Sequence, residues 1–465
     1  GEDRVIEFDI PGDGMPTIEV RVPLPDLAGP AVIDGTTQDG GFVEIANFEE
    51  VLVGLRVAGS GATVRGLVVT GFNNHGVILD GDGGHVVTGN YFGYRPGALG
   101  VDRGNGGLDG SGLLVDSLDN TVGREGAANY FAHNGDSEVM PAPEPGSTGA
   151  DIRAAFPSSG NVVVAPGGGG TIAGNQIEGG AGIIVEDGAG SVTITRNELE
   201  TTLGVVVAPN AWNTQTVVTD NTIWGPNPVD PRSVGVAVIG EAPAAIIHNE
   251  IDRIGVGFIG ALATRLNVSS NTVDAEIGAL LVGGTRTAFS GNTVDATTGV
   301  LAIGEAAADT DLSITSNEFT GHAGVIVAGG TSDAISSNSF DGEIAALLTA
   351  SADSAFAGNT VDSSVGVWLI SPLSPEFGDN TVADNQFNGA IGAVVMEERA
   401  TVASNVFDGP DIGIMASPAA AMTIAQNSIT EAGVGIFLAD VAATTIAQNS
   451  ITGSGLAVFA AAGES

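Results

Sequence analysis

A chain of 465 residues with 55 acidic side chains against 14 basic ones carries a formal net charge of −41, a balance that repels nucleic acid and anionic membrane surfaces. The 14 basic residues are all arginine, and the absence of cysteine excludes disulfides and thiol chemistry. No apolar run approaches the length of about 18 residues that a membrane-spanning helix needs. Hydrophobic residues make up 43% and aromatics 5%, so the core is expected to be Val, Ile, Leu and Ala. The 71 glycines recur at ordered positions and read as turns and strand starts rather than low complexity. So acidic a surface fits a salt-rich or extracellular setting, and an extracellular or cell-surface location is the expectation.

Residues 1–40 read as an opening and capping segment, and 41–465 as one stacked repeat. Gly1 begins abruptly, as expected of a processed chain or a piece of a longer one. The runs ATVRGLVVTGFNNHGVIL (62–79), GNYFG (89–93), GNGGLDGSGLLV (104–115) and DNTVG (119–123) show short alternating strands punctuated by Gly and Asn. Insertions near 94–110 and 134–160 interrupt the spacing, and long loops on a rigid scaffold are where binding residues concentrate. In NNHGVILDGDGGH, His75, Asp80, Asp82 and His85 lie close together, near Tyr91, Tyr94 and Arg95. Asp116 follows Val115 as Asp80 follows Leu79, so the two acids are expected at equivalent outward positions. These five residues form the candidate catalytic set; the plainer alternative is solvated turns beside a surface loop. Asp80 and Asp82 are also the candidate calcium ligands, although the rest of an EF-hand loop is missing and no other cofactor is expected.

From Asn175 an asparagine returns every 20 to 28 residues: Asn197, Asn221, Asn249, Asn271, Asn292, Asn317, Asn338, Asn359, Asn385, Asn405, Asn427 and Asn449. Asn90 and Asn129 belong to the same series, spaced more widely by the insertions. A fixed period in this range signals a solenoid. In Gly182 to Leu199, Ile183 and Val185 alternate with Ile184 and Glu186, and Val192 and Ile194 with Thr193 and Thr195. Each coil of about 22 residues thus carries two or three short strands, stacked at roughly 4.8 Å. No helical period interrupts them. A buried amide at each corner can bond the backbone and the amide of the next coil, so the series predicts a structural ladder.

The glycine-led strands carry a second signal. Their outward positions become apolar from Val206 onward, through Ile239, Ile259, Leu280, Val282, Leu301, Ile303, Ile326 and Leu347. The set continues with Trp368, Ile370, Val394, Met396, Met415, Phe437 and Phe459. A sheet apolar on both faces is expected to be buried on both. A second copy, a loop of this chain or an apolar ligand would cover it, and these residues are the candidate interface of a homo-oligomer or polymer.

The runs quoted from 6–40, 62–79, 89–93, 104–115 and 119–123 resemble secreted or cell-surface right-handed parallel β-helix proteins of the pectate-lyase-like superfamily, and the asparagine repeat extends the likeness over the rest of the chain. The resemblance implies an all-β, single-stranded right-handed β-helix and a secreted or surface location. Many such proteins cleave acidic polysaccharides, with an Arg or Lys base beside calcium-binding aspartates. Here lysine is absent, the arginines are scattered, and −41 opposes a polyanionic substrate. The Asp-Asp and Arg-Ile-Lys signatures of related hydrolases are missing, and Gly321-His322-Ala323-Gly324 only echoes their Gly-His-Gly. The leading expectation is therefore a structural or adhesive β-helix that self-associates as an oligomer, sheath or filament. The alternative is a polysaccharide-active enzyme or carbohydrate-binding β-helix. Polysaccharide or cell envelope is the expected wider partner.

Overall fold

Short runs of β-branched residues broken by corners cannot bury a face alone, and stacking each run on the next solves this by parallel pairing. The computed structural model does so throughout its described residues: 4–97, 103–107, 110–135, 159–208, 215–227, 229–241, 243–304, 311–371 and 377–461. Most of the 134–160 insertion and parts of the 94–110 insertion lie outside them. The protein is an all-β parallel solenoid, and among the described residues its one helical element is the 3-10 turn Gly35–Thr37. The chain divides into two units, 1–255 and 256–465.

In the first unit each coil has three strands. One coil runs Val192–Thr195, the corner at Asn197, Glu198–Glu200, then Leu203–Val207. Its strands pair in register with the next coil, Val192 with Thr216, Leu199 with Ile223 and Val205 with Val236. In the first coils of the second unit, from Thr272 to Thr349, the last two strands fuse into 11-residue strands such as Thr293–Ile303 and Ser339–Thr349, and from Thr360–Val361 and Val365–Ile370 onward they are separate again. The fusion follows the turn residues. Gly179 and Gly180 take φ of 76° and 45° in the first unit, whereas Asp295 to Thr298 stay extended in the second.

The asparagines form the expected ladder. Asn197 donates its backbone N–H (3.0 Å) and its Nδ2 (2.9 Å) to Oδ1 of Asn221, and Nδ2 also reaches the Ile172 carbonyl at 2.9 Å. The pattern links Asn90 through Asn129, Asn175, Asn197 and Asn221 to Asn249 in the first unit. In the second it runs from Asn271 to Asn449. Most of these amides follow a residue with positive φ, such as Arg196 (52°), Asp220 (56°) or Ser337 (58°), which turns the chain at the corner. A second ladder, Asn105–Asn134–Asn161, lies between the insertions, with Nδ2 to Oδ1 distances of 2.8 and 2.9 Å. Its members stand 29 and 27 residues apart, so the insertions carry it past most intervals of the main series.

The glycine that opens most of the inner strands is sterically required where it occurs. A Cβ on Gly366 would lie 2.2 Å from the Gly392 carbonyl oxygen and 2.4 Å from the Phe387 ring. Behind these glycines runs a stacked column of phenylalanines, including Phe319–Phe340 at 5.2 Å and Phe387–Phe407 at 4.9 Å.

Candidate functional site

The face that brings the candidate residues together belongs to the strands His75–Leu79 and Ser111–Val115. They pair in register, His75 with Ser111, Ile78 with Leu114 and Leu79 with Val115. Asp80 and Asp116, the next residues along, are fixed by backbone N–H bonds to Val57 and Leu79 at 2.7 and 2.8 Å. The same column continues through Ala165 to Glu186, whose N–H bonds Val164 at 2.9 Å. The outer face thus has His75 and Ser111 at one end, Ile78 and Leu114 in the middle, and a row of carboxyls at the other.

The carboxyls differ in environment. Asp80 is ion-paired with the Arg56 guanidinium, through Nε at 3.1 Å and a closer Nη2, and accepts the Gly81 N–H at 2.6 Å. Arg56 and that N–H hold the Asp80 carboxyl below the ordinary carboxylate range. Asp116 reaches solvent, but partial burial, and then the neighbouring Asp80 charge, push it upward. Glu186 is raised in the same way, by burial first and Asp116 second. Neither Arg56 nor Glu186 was in the candidate catalytic set: alternation puts Glu186 outward as it does Asp80 and Asp116, whereas the pairing of Arg56 with Asp80, 24 residues on, is visible only in the structure.

The other candidates lie around this row. His75 is half-buried, its Nδ1 is 3.0 Å from Ser111 Oγ, and burial lowers its pKa. His85 is buried and engaged at both nitrogens: Nδ1 accepts the Ala62 N–H at 3.2 Å, and Nε2 donates to the Asp80 carbonyl at 2.9 Å. That arrangement fixes its tautomer and makes it a support for the turn that carries Asp80. Asp82 sits exposed in that turn. As calcium ligands, Asp80 and Asp82 would have to compete with Arg56 for the Asp80 carboxylate. Among the described residues no group of three or more His, Asp or Glu side chains is placed to hold a metal.

The candidate interface residues fall into register columns. In the second unit Leu280, Leu301, Ile326, Leu347, Trp368, Val394, Met415, Phe437 and Phe459 stack in one line. Val282, Ile303, Ile370 and Met396 belong to the column beside it. Ile303 is 37% exposed and Phe459 41%, while Leu301, Ile326, Leu347, Trp368, Met415 and Phe437 are half-buried. Ile259, Leu280, Val282 and Val394 are buried, as are Val206 and Ile239 in the first unit.

Two family profiles match the chain: "Right handed beta helix region" over residues 53–251 and "Periplasmic copper-binding protein (NosD)" over 310–465. Copper favours imidazole, thiolate and thioether donors. The second match contains one histidine, His322, which is 2.9 Å from the Glu343 carboxylate, no cysteine, and three methionines, Met396, Met415 and Met422. The match is a likeness of sequence and places no copper on this chain. No curated protein matches the sequence. Among solved structures the chain is similar to a double mutant of the periplasmic alginate epimerase AlgG, at 13% identity and a TM-score of 0.41, covering 63% of this chain and 76% of that one. It is also similar to an alpha-1,3-glucanase from Streptomyces thermodiastaticus (16%, 0.36, covering 68% and 67%) and to DFA-IIIase from Arthrobacter chlorophenolicus (12%, 0.35, covering 70% and 84%). Likeness at this level carries no argument about chemistry. Its parallel coils and asparagine ladder make the chain a parallel β-solenoid, similar over residues 53–251 to the right-handed β-helix family.

Proposed function

We propose that the chain acts on an uncharged polysaccharide, with Asp116 as proton donor and Asp80 as its ionised partner. The observation that carries this reading is the different setting of two outward carboxyls at the ends of paired strands: the Arg56 ion pair lowers the pKa of Asp80, while partial burial and the Asp80 charge raise that of Asp116. Environments that push neighbouring pKa values apart assign acid and base roles. One strand spacing, roughly 4.8 Å, separates the two backbone positions. That is close to the carboxyl separation of about 5–5.5 Å in retaining glycoside hydrolysis. Asp116 protonates the glycosidic oxygen as its bond to the anomeric carbon breaks, and Asp80 faces the positive charge developing there. Water then adds to that carbon and returns a proton to Asp116. Ile78 and Leu114 supply an apolar floor, and the net charge of −41 weighs against a polyanion. Action outside the cell or in its envelope fits so acidic a surface.

The test is release of reducing ends from a panel of neutral polysaccharides. Asp116→Asn is expected to lower kcat by about 10²- to 10⁴-fold with the coil intact. No release from any polysaccharide, or an Asp116→Asn variant as active as the parent, overturns the proposal.

A second reading, self-association in a structural or adhesive role, is favoured by one observation. The outward apolar columns of residues 256–465 run in unbroken register and stay partly exposed from Leu301 to Phe437, except at Val394. A second copy of the chain is the proposed cover.

A further inference from the structure

The sequence has three tyrosines, and all of them meet on the outside of the first unit. Tyr91 and Tyr130 are register partners on the strands Tyr91–Phe92 and Tyr130–Ala132. Alternation sends Phe92 and Phe131 inward, where their rings stack at 4.6 Å, and turns the two tyrosines out. Tyr94 closes the group, with its ring 4.9 Å from Tyr130 and 6.2 Å from Tyr91, and Phe42 packs edge-on to Tyr91 at 5.2 Å. All three tyrosines are half-buried, so the cluster is both braced and open to solvent. These strands pair with Leu67–Thr70 and Gln176–Glu178, in a different column from the paired strands His75–Leu79 and Ser111–Val115 that lead to Asp80 and Asp116.

Polar groups frame the rings on both sides. On one side Glu44 has no exposed surface and is held by Arg95 (2.6 Å), Arg103 (3.0 Å), Thr17 (2.7 Å) and Thr70 (2.9 Å). One buried carboxylate thereby fixes two guanidiniums whose outer edges stay accessible, with side-chain exposures of 28% and 37%. On the other side burial, and then the neighbouring Glu178 carboxylate, raise the pKa of the Tyr130 hydroxyl. Gln176, Glu198 and Glu200 extend this edge in register. At the adjoining corner lies a cleft of about 760 Å³ lined by Arg103, His133 and the bare backbone of Gly71, Gly106, Gly135 and Gly179. That size suits a small-molecule or oligomer ligand.

We infer that this face is a saccharide-binding surface separate from the Asp80–Asp116 row, and that its ligand is an uncharged oligosaccharide. Aromatic rings offer apolar area to the C–H faces of a pyranose, and their hydroxyls stay wet. Anchored guanidiniums give planar donors, while Glu178, Gln176 and Glu198 give acceptors; a hydroxyl-rich ligand uses both. The carboxylates on the Gln176 side disfavour a polyanion. No residue here enters the proposed chemistry at Asp116, so either proposal can fail without the other.

The experiment titrates the full chain with cellohexaose, xylohexaose and maltohexaose by calorimetry, and with polygalacturonate as the anionic control. Tyrosine fluorescence serves as a second readout. One neutral hexasaccharide is expected to bind and to quench that emission. Tyr94→Ala and Tyr130→Ala should each weaken it by about ten-fold or more, as expected of central aromatic contacts. Tyr130→Phe keeps the ring and should lose less. Should Tyr130→Ala fail to fold, Tyr94→Ala, which lies outside the strands, still decides the matter. Binding of polygalacturonate in place of every neutral sugar, no binding at all, or binding unchanged by Tyr94→Ala overturns the inference.

Discussion

At the residue scale, Glu397 is the sharpest departure from ordinary chemistry. It has no exposed surface, and its Oε2 accepts from Asn380 Nδ2 at 2.8 Å and Ser371 Oγ at 3.2 Å, while Oε1 has no partner. Burial pushes its pKa from 4.5 up to about 7, against the lowering effect of those two donors. A carboxyl whose pKa is higher folded than unfolded holds its proton more tightly when folded. Its penalty is therefore absent below about pH 4.5, grows as pH rises to about 7, and is constant above that. Glu397→Gln keeps an acceptor for both donors and removes the titration. The variant should match the parent in thermal midpoint near pH 4 and exceed it above pH 7, by a difference on the order of 3 kcal/mol. Parallel midpoint curves across that range would show that Glu397 does not titrate there. Asp34, Asp80 and Asp230, held low by Arg65, Arg56 and Arg232, act in the opposite sense at lower pH and cancel in the comparison.

At the scale of the element, the coil is set by a conflict between a corner glycine and a ring. The Cβ that Gly366 lacks would strike the Phe387 ring and the Gly392 carbonyl, and Gly324, Gly299 and Gly392 meet Phe340, Phe319 and Phe407 in the same way. Where the ring column narrows to Val361, the corner position carries Ala345, which is fully buried. Gly366→Ala should therefore cost about 1–3 kcal/mol as overpacking. Adding Phe387→Val should recover part of that cost, since the smaller side chain makes room for the methyl. Urea denaturation of the double-mutant cycle checks this, and strictly additive penalties would refute the coupling. The strand phase and the main ladder were legible in the sequence because both follow a fixed period. The fit between glycine and ring was not, because it joins residues one coil apart. The Asn105–Asn134–Asn161 ladder was masked by the insertions. At the candidate site the equivalence of Asp80 and Asp116 could be read from the motif, but the pairing of Arg56 with Asp80 and the engagement of His85 needed register and turn geometry.

At the scale of the molecule, the question is whether the apolar columns of residues 256–465 have enough area to hold a partner. Register adds a third outward column that a strict alternation misses, because the chain bends at the corner glycine: Ile344, Val365, Ile391, Ile412 and Val434 stack beside the other two. From Leu280 to Phe459 the nine stacked strands span eight spacings, roughly 38 Å at 4.8 Å each. Three columns are roughly 18 Å wide with their side chains, so the face covers on the order of 700 Å². A stable pairing of two proteins buries about 800 Å² on each, so the face is near the needed size for a second copy. Trp368 lies within it, half-buried, and its indole N–H has no partner among the described residues. Replacing Leu301, Ile326, Leu347 and Trp368 with Thr keeps β-branched residues on the pleat and removes most of the apolar gain. The parent should sediment as a dimer or larger species across a concentration series, and the fourfold variant as a monomer with unchanged far-ultraviolet dichroism. A parent that stays monomeric, or a variant that still assembles, would leave the columns without the proposed role, and the Asp80–Asp116 face would then be the better guide to what the protein does.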